Sequence, residues 1–316
     1  MHHKRILVTG GIGFIGSHLV RKLANIDNEM LIFDNYFTGK EYFVSESKDK
    51  IKIFKGDLRN PQDVEKSVLD FKPGLVFHLA ALHYIPYCNQ NPIETIDVNV
   101  AGTENLLQTC KKYGRLEKFL FTSSAAVYPI FDNANVENSI IAATDIYGNT
   151  KYFGEHLVRT FYEETGISCY VARLFNVFGT NETNPHVIPA ILDQLIDSTS
   201  IQLGNLEPKR DYIFVEDVAD ALIEITDKCS KSLDVFNVGS GKEYSVYELL
   251  ETIENICQIK IEITKSTKRT RKSDRLHLLA DISKIKNEIG WQPKFDLPNG
   301  LKTIIEKEYE DILTHR

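Results

Sequence analysis

The sequence predicts an α/β fold: a doubly wound parallel sheet carrying a smaller mixed α/β lobe. Three observations predict it. Short apolar runs, partly β-branched, punctuate the first half of the chain, as strands covered on both faces do. Longer amphipathic stretches lie between them, and parallel strands need such crossover connections. After about residue 176 the alternation gives way to helices separated by short strands and polar loops.

Taken in order, residues 5–8 read as the first strand and 14–24 as the first helix. Residues 30–33, 51–55 and 75–78 are the next three strands. Between the last two, Asn60 caps a helix that Pro61 opens and that runs over 62–69. A long helix is expected over 93–113, stopped by Gly114. Residues 118–123 form a fifth strand, 147–165 a long helix closed by Gly166, and 168–174 a sixth strand. Beyond that, helices are expected over 188–198, 215–225 and 247–258. The second lobe is read as partly interleaved with the first, with a cleft between them.

A net charge of −7 on 316 residues argues against general binding to nucleic acid or to an anionic membrane. No segment reaches the ~18 consecutive apolar residues of a membrane span. Residues 1–5 run straight into a strand, without the apolar region of a signal peptide, so the cytoplasm is the expected compartment. The five cysteines, Cys88, Cys110, Cys169, Cys229 and Cys257, are widely spaced with no CxxC pair. Buried free thiols are expected, with no disulfide framework and no metal site.

The segment Thr9-Gly10-Gly11-Ile12-Gly13-Phe14-Ile15-Gly16 follows the first strand and opens the first helix. Gly10, Gly13 and Gly16 are spaced so that backbone can approach a pyrophosphate while the helix packs closely on the strand. With Phe14 and Ile15 they form the start of a helix whose free N–H groups face an anion. The second strand ends at Asp34-Asn35. A carboxylate there accepts hydrogen bonds from ribose hydroxyls and repels a 2′-phosphate, which favours NAD over NADP.

Tyr147 and Lys151 are four residues apart and share one helix face. A tyrosine with an ordinary pKa of about 10 is too weakly ionised to act as a base at neutral pH. A nearby ammonium, together with the positive nicotinamide, is expected to favour the phenolate. Such a tyrosine can take the proton of a sugar hydroxyl while hydride leaves the same carbon. The fifth strand ends in Phe121-Thr122-Ser123-Ser124-Ala125-Ala126-Val127-Tyr128, and hydroxyls at that edge face the ligand crevice. Ser124 is placed to orient the reacting oxygen.

With these residues in hand, the chain resembles the extended short-chain dehydrogenases/reductases of the nucleotide-sugar epimerase/dehydratase family, over residues 6 to about 309. Besides the segments above, the resemblance rests on Gly56-Asp57-Leu58, His78-Leu79-Ala80-Ala81 and Asn99-Val100-Ala101-Gly102-Thr103. It continues through Arg173-Leu174-Phe175-Asn176-Val177-Phe178-Gly179, Arg210-Asp211-Tyr212-Ile213-Phe214-Val215 and, in the tail, Ala280-Asp281 and Gly290-Trp291-Gln292-Pro293. It implies a Rossmann domain over 1–176, with a returning segment about 212–239, and a nucleotide-sugar-binding lobe from 177–211 and 240–316. It implies that Asp57 and Leu58 flank the adenine, that Leu79, Ala80, Ala81 and His83 lie along the cofactor, and that Asn99 supports it. Ser124, Tyr147 and Lys151 would carry catalysis, with Lys151 also holding the nicotinamide ribose and Phe175 near the nicotinamide. Asn176, Arg210, Arg271 and Asp274 would bind the nucleotide-diphosphate half of the substrate. A homodimer paired through the helices over 93–113 and 147–165 is implied as well.

The substrate assignment also has a physical basis. Residues 265–275 hold six lysines and arginines on an acidic chain, and a guanidinium pairs with diphosphate in a bidentate fork. Within the family, 4,6-dehydratases place an Asp-Glu pair after the catalytic hydroxyl, and the decarboxylases carry a glutamate in that stretch. Here Ala125 and Ala126 stand there, which favours a 4-epimerase. A nucleotide-sugar 4-dehydrogenase or decarboxylase is the alternative, and a non-catalytic cofactor sensor a more distant one. The chain departs from the family at Pro129, in the bulky segment from His83 to Cys88, and at Leu278. Galactose-specific epimerases carry tyrosine at the last of these, and leucine there leaves room for an N-acetyl group on the sugar.

Overall fold

The computed structural model describes residues 4–26, 28–130, 133–266 and 276–314. The first half runs β1 (Arg5–Thr9), α1 (Phe14–Ala24), β2 (Glu29–Asp34), a 3-10 stretch (Glu41–Lys50), β3 (Ile51–Lys55), α2 (Pro61–Phe71) and β4 (Leu75–His78). It continues with α3 (Ile85–Gln90), α4 (Pro92–Ile96), a π turn (Asp97–Ala101), α5 (Gly102–Tyr113), β5 (Lys118–Ser124), a 3-10 turn (Ala125–Val127), α6 (Ile146–Thr165) and β6 (Ser168–Leu174).

These strands build a seven-stranded parallel sheet in the order β10-β6-β5-β4-β1-β2-β3, where β10 is Leu233–Val238. The order reverses between β1 and β4, and the crevice at the carboxyl ends of those strands is where ligands bind such sheets. Residues of alternating parity on a strand feed opposite faces. Ile6 and Val8 pack with Leu19, Val20 and Leu23 of α1 and with Val218 and Leu222. Leu7 packs with Val64 and Val68 of α2, Leu106 of α5 and Val158 of α6. Burial on both faces explains why the strands read as continuous apolar runs.

The rest of the chain forms β7 (Asn176–Phe178), α7 (Val187–Asp197), β8 (Ser200–Leu203), β9 (Lys209–Phe214) and α8 (Val215–Lys228), then β10. After it come β11 (Glu243–Ser245), α9 (Val246–Cys257), β12 (Glu262–Lys265), α10 (Ser283–Ile289), α11 (Leu297–Glu308) and α12 (Glu310–Thr314). Two small sheets, β11-β9-β7 and β12-β8, lie here. A second core gathers Ile191 and Leu195 of α7, Leu249 and Ile253 of α9, and Leu301 and Ile305 of α11 over Phe178 and Phe214. Segment 215–238 goes back to the large sheet: α8 packs on α1, and β10 pairs with β6.

Local signals are borne out where they are chemical. The Asn60 side chain accepts a hydrogen bond from Gln62 N at 3.1 Å, with Pro61 at the first helical position. Gly114 and Gly166 end α5 and α6 in the left-handed conformation. The helix expected over 93–113 forms as one helical run over 92–113 that contains a π turn, where Gly102 N bonds back to Asp97 O. The extra residue brings Asn99 inward, and the Thr103 hydroxyl takes up the Asn99 carbonyl at 2.7 Å. The short α3 was not anticipated, because Pro86 interrupts any periodic pattern there. All five cysteines are free thiols, four of them buried.

One buried carboxylate organises the second lobe's link to the sheet. Asp211 accepts hydrogen bonds from Ser240 N (2.6 Å), Ser240 Oγ (2.7 Å), Gly241 N (3.0 Å) and Ala280 N (3.2 Å). Burial pushes its pKa up to about 6 against the pull of those donors. Asp211→Ala leaves three backbone N–H groups without an acceptor. It is expected to cost roughly 3 kcal/mol or more, read as a lowered midpoint in thermal unfolding.

Candidate active site

A cleft of about 1110 Å³ opens at the carboxyl edge of the large sheet and extends between its loops and the second lobe. At its floor lies the glycine turn. Gly10 has φ +70°, and a Cβ there would meet Ala80 N at 2.9 Å. A Cβ on Gly16 would sit 2.1 Å from the Gly10 carbonyl oxygen. Gly13 is the extended cap of α1, with no side chain on the helix's first N–H groups and no acidic residue in its first turn. The turn thus offers backbone N–H groups and a helix dipole to an anion.

Asp34 lies at the end of β2 and is buried, and burial raises its pKa while hydrogen bonds from Tyr36 N and Ile12 N oppose the rise. One oxygen accepts from Tyr36 N at 2.9 Å and the other from Ile12 N at 3.3 Å. A carboxylate has about four acceptor positions, so each oxygen keeps capacity for a hydroxyl. Asn35 caps the turn by accepting from Phe37 N. Asp57 forks with Arg59, and that hydrogen bond holds its carboxyl down at about 2.

Across the crevice, Tyr147 and Lys151 project from α6, whose start is capped by Asp145 accepting from Gly148 N at 2.8 Å. The Lys151 ammonium donates to the Thr122 carbonyl at 2.8 Å and sits 5.9 Å from the centre of the Tyr147 ring. Burial pushes Lys151 down to about 7, against Cys88 and Glu155. Burial raises Tyr147, and its hydrogen bond with Ser124 works the other way. The expected lowering of the tyrosine by an adjacent ammonium is therefore outweighed by desolvation of the phenolate. Ser124 itself caps the 3-10 turn, accepting from Ala126 N at 3.1 Å.

The family model described as GDP-mannose 4,6 dehydratase matches residues 7–304. The chain belongs to this family of nucleotide-sugar epimerases and dehydratases. It is 33% identical over 313 residues to a UDP-glucose 4-epimerase of Lactobacillus helveticus, covering 92% of this chain and 93% of that one. It is 32% identical over 320 residues to UDP-glucuronic acid decarboxylase 3 of Arabidopsis thaliana, covering 96% and 88%. Its structure is similar to the UDP-glucose 4-epimerase of Bifidobacterium longum in complex with NAD+ and UDP, with TM-score 0.88, 25% identity and coverage of 96% and 99%.

Most residues singled out in the sequence line this cleft. Gly10, Gly13, Phe14, Ile15, Gly16, Asp34, Asn35, Asp57, Leu58, Leu79, Ala80, Ala81 and His83 do so on one side. Ser124, Tyr147, Lys151, Phe175, Asn176, Arg210 and Leu278 complete it. Asn99 works from behind the wall. Its amide holds Leu82 N and Leu82 O at 2.8 Å each and donates to Thr150 at 3.0 Å. Arg271 and Asp274 lie outside the described residues.

Several polar groups of this family member have no assigned role in the sequence reading. His78 is buried between Thr9 Oγ1 (2.7 Å) and Thr103 Oγ1 (2.8 Å). Thr103 already donates to Asn99 O, so it accepts from Nε2–H, and Nδ1 accepts from Thr9. Thr9 in turn accepts from Ala80 N, which ties the Ala80-Ala81 wall to β1. On the second-lobe side, Glu182 accepts from Thr183 N and Asn184 N and pairs with His186 at 3.2 Å, while Asn184 meets His83 at 3.0 Å. Burial and the neighbouring His186 push His83 down to about 4. The loop over 180–186 has no periodic pattern, so nothing in the sequence placed it opposite His83.

Proposed function

We propose that the protein is an NAD-dependent 4-epimerase of a nucleotide-diphosphate sugar, a UDP-hexose or UDP-N-acetylhexosamine. The observation that carries this reading is the turn after Ser124. Ala125 and Ala126 are buried there and offer only methyl groups beside Tyr147 and Ser124. A dehydratase needs a further acid and base at that place to move the C5 proton and the C6 hydroxyl. Of the cleft's other acids outside the proposed cofactor side, Asp145 accepts from Gly148 N, Glu182 from Thr183 N and Asn184 N, and Glu308 from Asn181 N, and none of them is in the turn after Ser124. An epimerase needs none of them.

The cleft fits a dinucleotide by its own geometry, since the space a Cβ would fill at Gly10 and Gly16 is closed and the carboxylate of Asp34 ends β2. Bound NAD would supply the hydride acceptor. The glycine turn and the α1 start would hold its diphosphate, Asp34 would take the ribose hydroxyls, and Lys151 would reach the second ribose. Tyr147 takes the proton from the C4 hydroxyl and returns it, while Ser124 orients that oxygen. Lys151, tied to Thr122, lies beside the phenol, and its ammonium form favours the phenolate. Asn176 and Arg210 line the cleft and would face the diphosphate of the sugar nucleotide. Leu278 packs on Phe175 and Tyr128, and its side chain leaves more room at the sugar than a tyrosine.

NMR of the purified protein with UDP-glucose, UDP-N-acetylglucosamine and UDP-glucuronate, without added NAD, tests the reaction. A C4 epimer at constant total sugar is expected. A keto product, released CO2 or accumulating NADH instead overturns the epimerase reading in favour of a dehydrogenase or decarboxylase. Tyr147→Phe is expected to lower kcat by at least ~100-fold while dinucleotide binding, measured by calorimetry, is kept. Asp34→Ala is expected to weaken NAD and to reduce the preference over NADP in the same titration.

The reading includes a homodimer. Ile93 and Ile96 of α4 and Phe153 of α6 are 70%, 40% and 53% exposed, an apolar set on the helices implied to pair. Phe153→Glu is expected to shift the protein from dimer to monomer in sedimentation velocity. A wild-type monomer at micromolar concentration contradicts the pairing.

A further inference from the structure

Glu155 lies one helical turn after Lys151 and two after Tyr147, on the buried face of α6. Lys151 and Glu155 are 4% and 9% exposed. The Glu155 carboxylate accepts from Ser123 Oγ at 2.5 Å and from Arg173 at 2.9 and 2.7 Å. Ser123 is the residue before Ser124, and Lys151 holds the Thr122 carbonyl. Successive residues at the end of β5 are therefore pinned to α6 by successive turns of that helix. Arg173 extends the network by donating to Tyr128 Oη (2.9 Å) and to the Glu137 carbonyl (2.8 Å), and Tyr128 donates to Asn237 (2.7 Å).

We propose that Glu155 is a positioning residue: it registers the Ser123-Ser124 edge against α6 and keeps the Lys151 ammonium charged. The inference rests on the reading of Tyr147 and Lys151 as the acid–base pair. The groups around Lys151 leave this task to Glu155. From α3 comes Cys88, whose thiol burial pushes up, so that it is neutral near pH 7. At and beyond the end of β4, burial pushes His78 to about 3 and His83 to about 4, so both are neutral. Asp145, before α6, faces Tyr147 and Cys88. Arg173 from β6 is bonded to the Glu155 carboxylate through its Nε and Nη2. With Cys88 neutral, the Glu155 carboxylate, one turn along the same buried helix face, is left to oppose part of the cost of burying the ammonium.

The test is the pH dependence of kcat in the NAD-loaded enzyme with the nucleotide sugar it turns over. Activity needs charged Lys151, so it falls as pH rises through the Lys151 pKa. Removing the opposite charge lowers that pKa and moves the alkaline limb to lower pH. For Glu155→Gln the expected move is ~1 pH unit or more, with KM within about twofold. Glu155→Asp keeps the charge and is expected to keep the limb even if the rate drops. A packing role alone lowers kcat equally at every pH. An unmoved limb in Glu155→Gln, or a limb moved as far in Glu155→Asp, overturns the proposal. Because Glu155→Gln strands a buried guanidinium, the double variant Glu155→Gln/Arg173→Met, which removes both charges, is measured beside it; its limb is expected to move in the same direction by a smaller amount, and a limb moved to higher pH overturns the proposal. Lys151→Met separates the two levels. If it keeps wild-type turnover, the acid–base reading itself falls. If it is inactive while the limb of Glu155→Gln stays put, only the role of Glu155 is lost.

Discussion

Three chain segments meet at the first turn with no room for a side chain. A Cβ on Gly10 would meet the backbone of Ala80, one on Gly11 the side chain of Ile32 at 2.8 Å, and one on Gly16 the Gly10 carbonyl. These contacts bring the ends of β1, β2 and β4 together with the start of α1 at the point where the strand order reverses. Everything else at the cleft is arranged around that closeness. Asp34 can end β2 beside the turn because the Ile12 amide is there to hold it. The Ala80-Ala81 wall can lie flat because Thr9, at the end of β1, accepts from Ala80 N and leans on His78.

How much of this was legible in the sequence depended on range. Strands buried on both faces announce themselves as apolar runs, and Ile6, Leu7 and Val8 did so although they serve different cores. Caps such as Asn60 and Gly166 act within a few residues and were readable too. Glu155 carried a signal in its spacing from Lys151, but its partners Ser123 and Arg173 lie on neighbouring strands that only the fold brings to it. The π turn was hidden for a similar reason, since what favours it is the fit of Asn99 to Leu82 across a 17-residue separation. The loop that carries Glu182 and His186 had no pattern at all, and its place opposite His83 follows from the packing of the second lobe.

Burial sets the electrostatics of α6, and it pushes Tyr147 and Lys151 toward neutrality. It raises Tyr147 and lowers Lys151, each by disfavouring the charged form. A phenolate and an ammonium together are less costly in such a place than either alone, because each supplies the counter-charge that solvent would have supplied. The Lys151 Nζ lies 5.9 Å from the centre of the Tyr147 ring, so the phenolate forms more readily beside a charged Lys151 than beside a neutral one.

That coupling bears on why the apolar turn at Ala125-Ala126 matters beyond the absence of acids. A carboxylate in that turn would lie beside Ser124 and the Tyr147 hydroxyl with which it bonds, and a negative charge there would oppose the phenolate. Methyl groups keep the surroundings dry without adding charge. Dehydratases must tolerate such acids because their chemistry needs more than one proton transfer. A site that only withdraws and returns one proton and one hydride gains from their removal, since the reacting oxygen then answers to Tyr147 and Ser124 alone. Residues 125 and 126 thus bear on the proposed epimerisation both by what they cannot donate and by the field they do not impose.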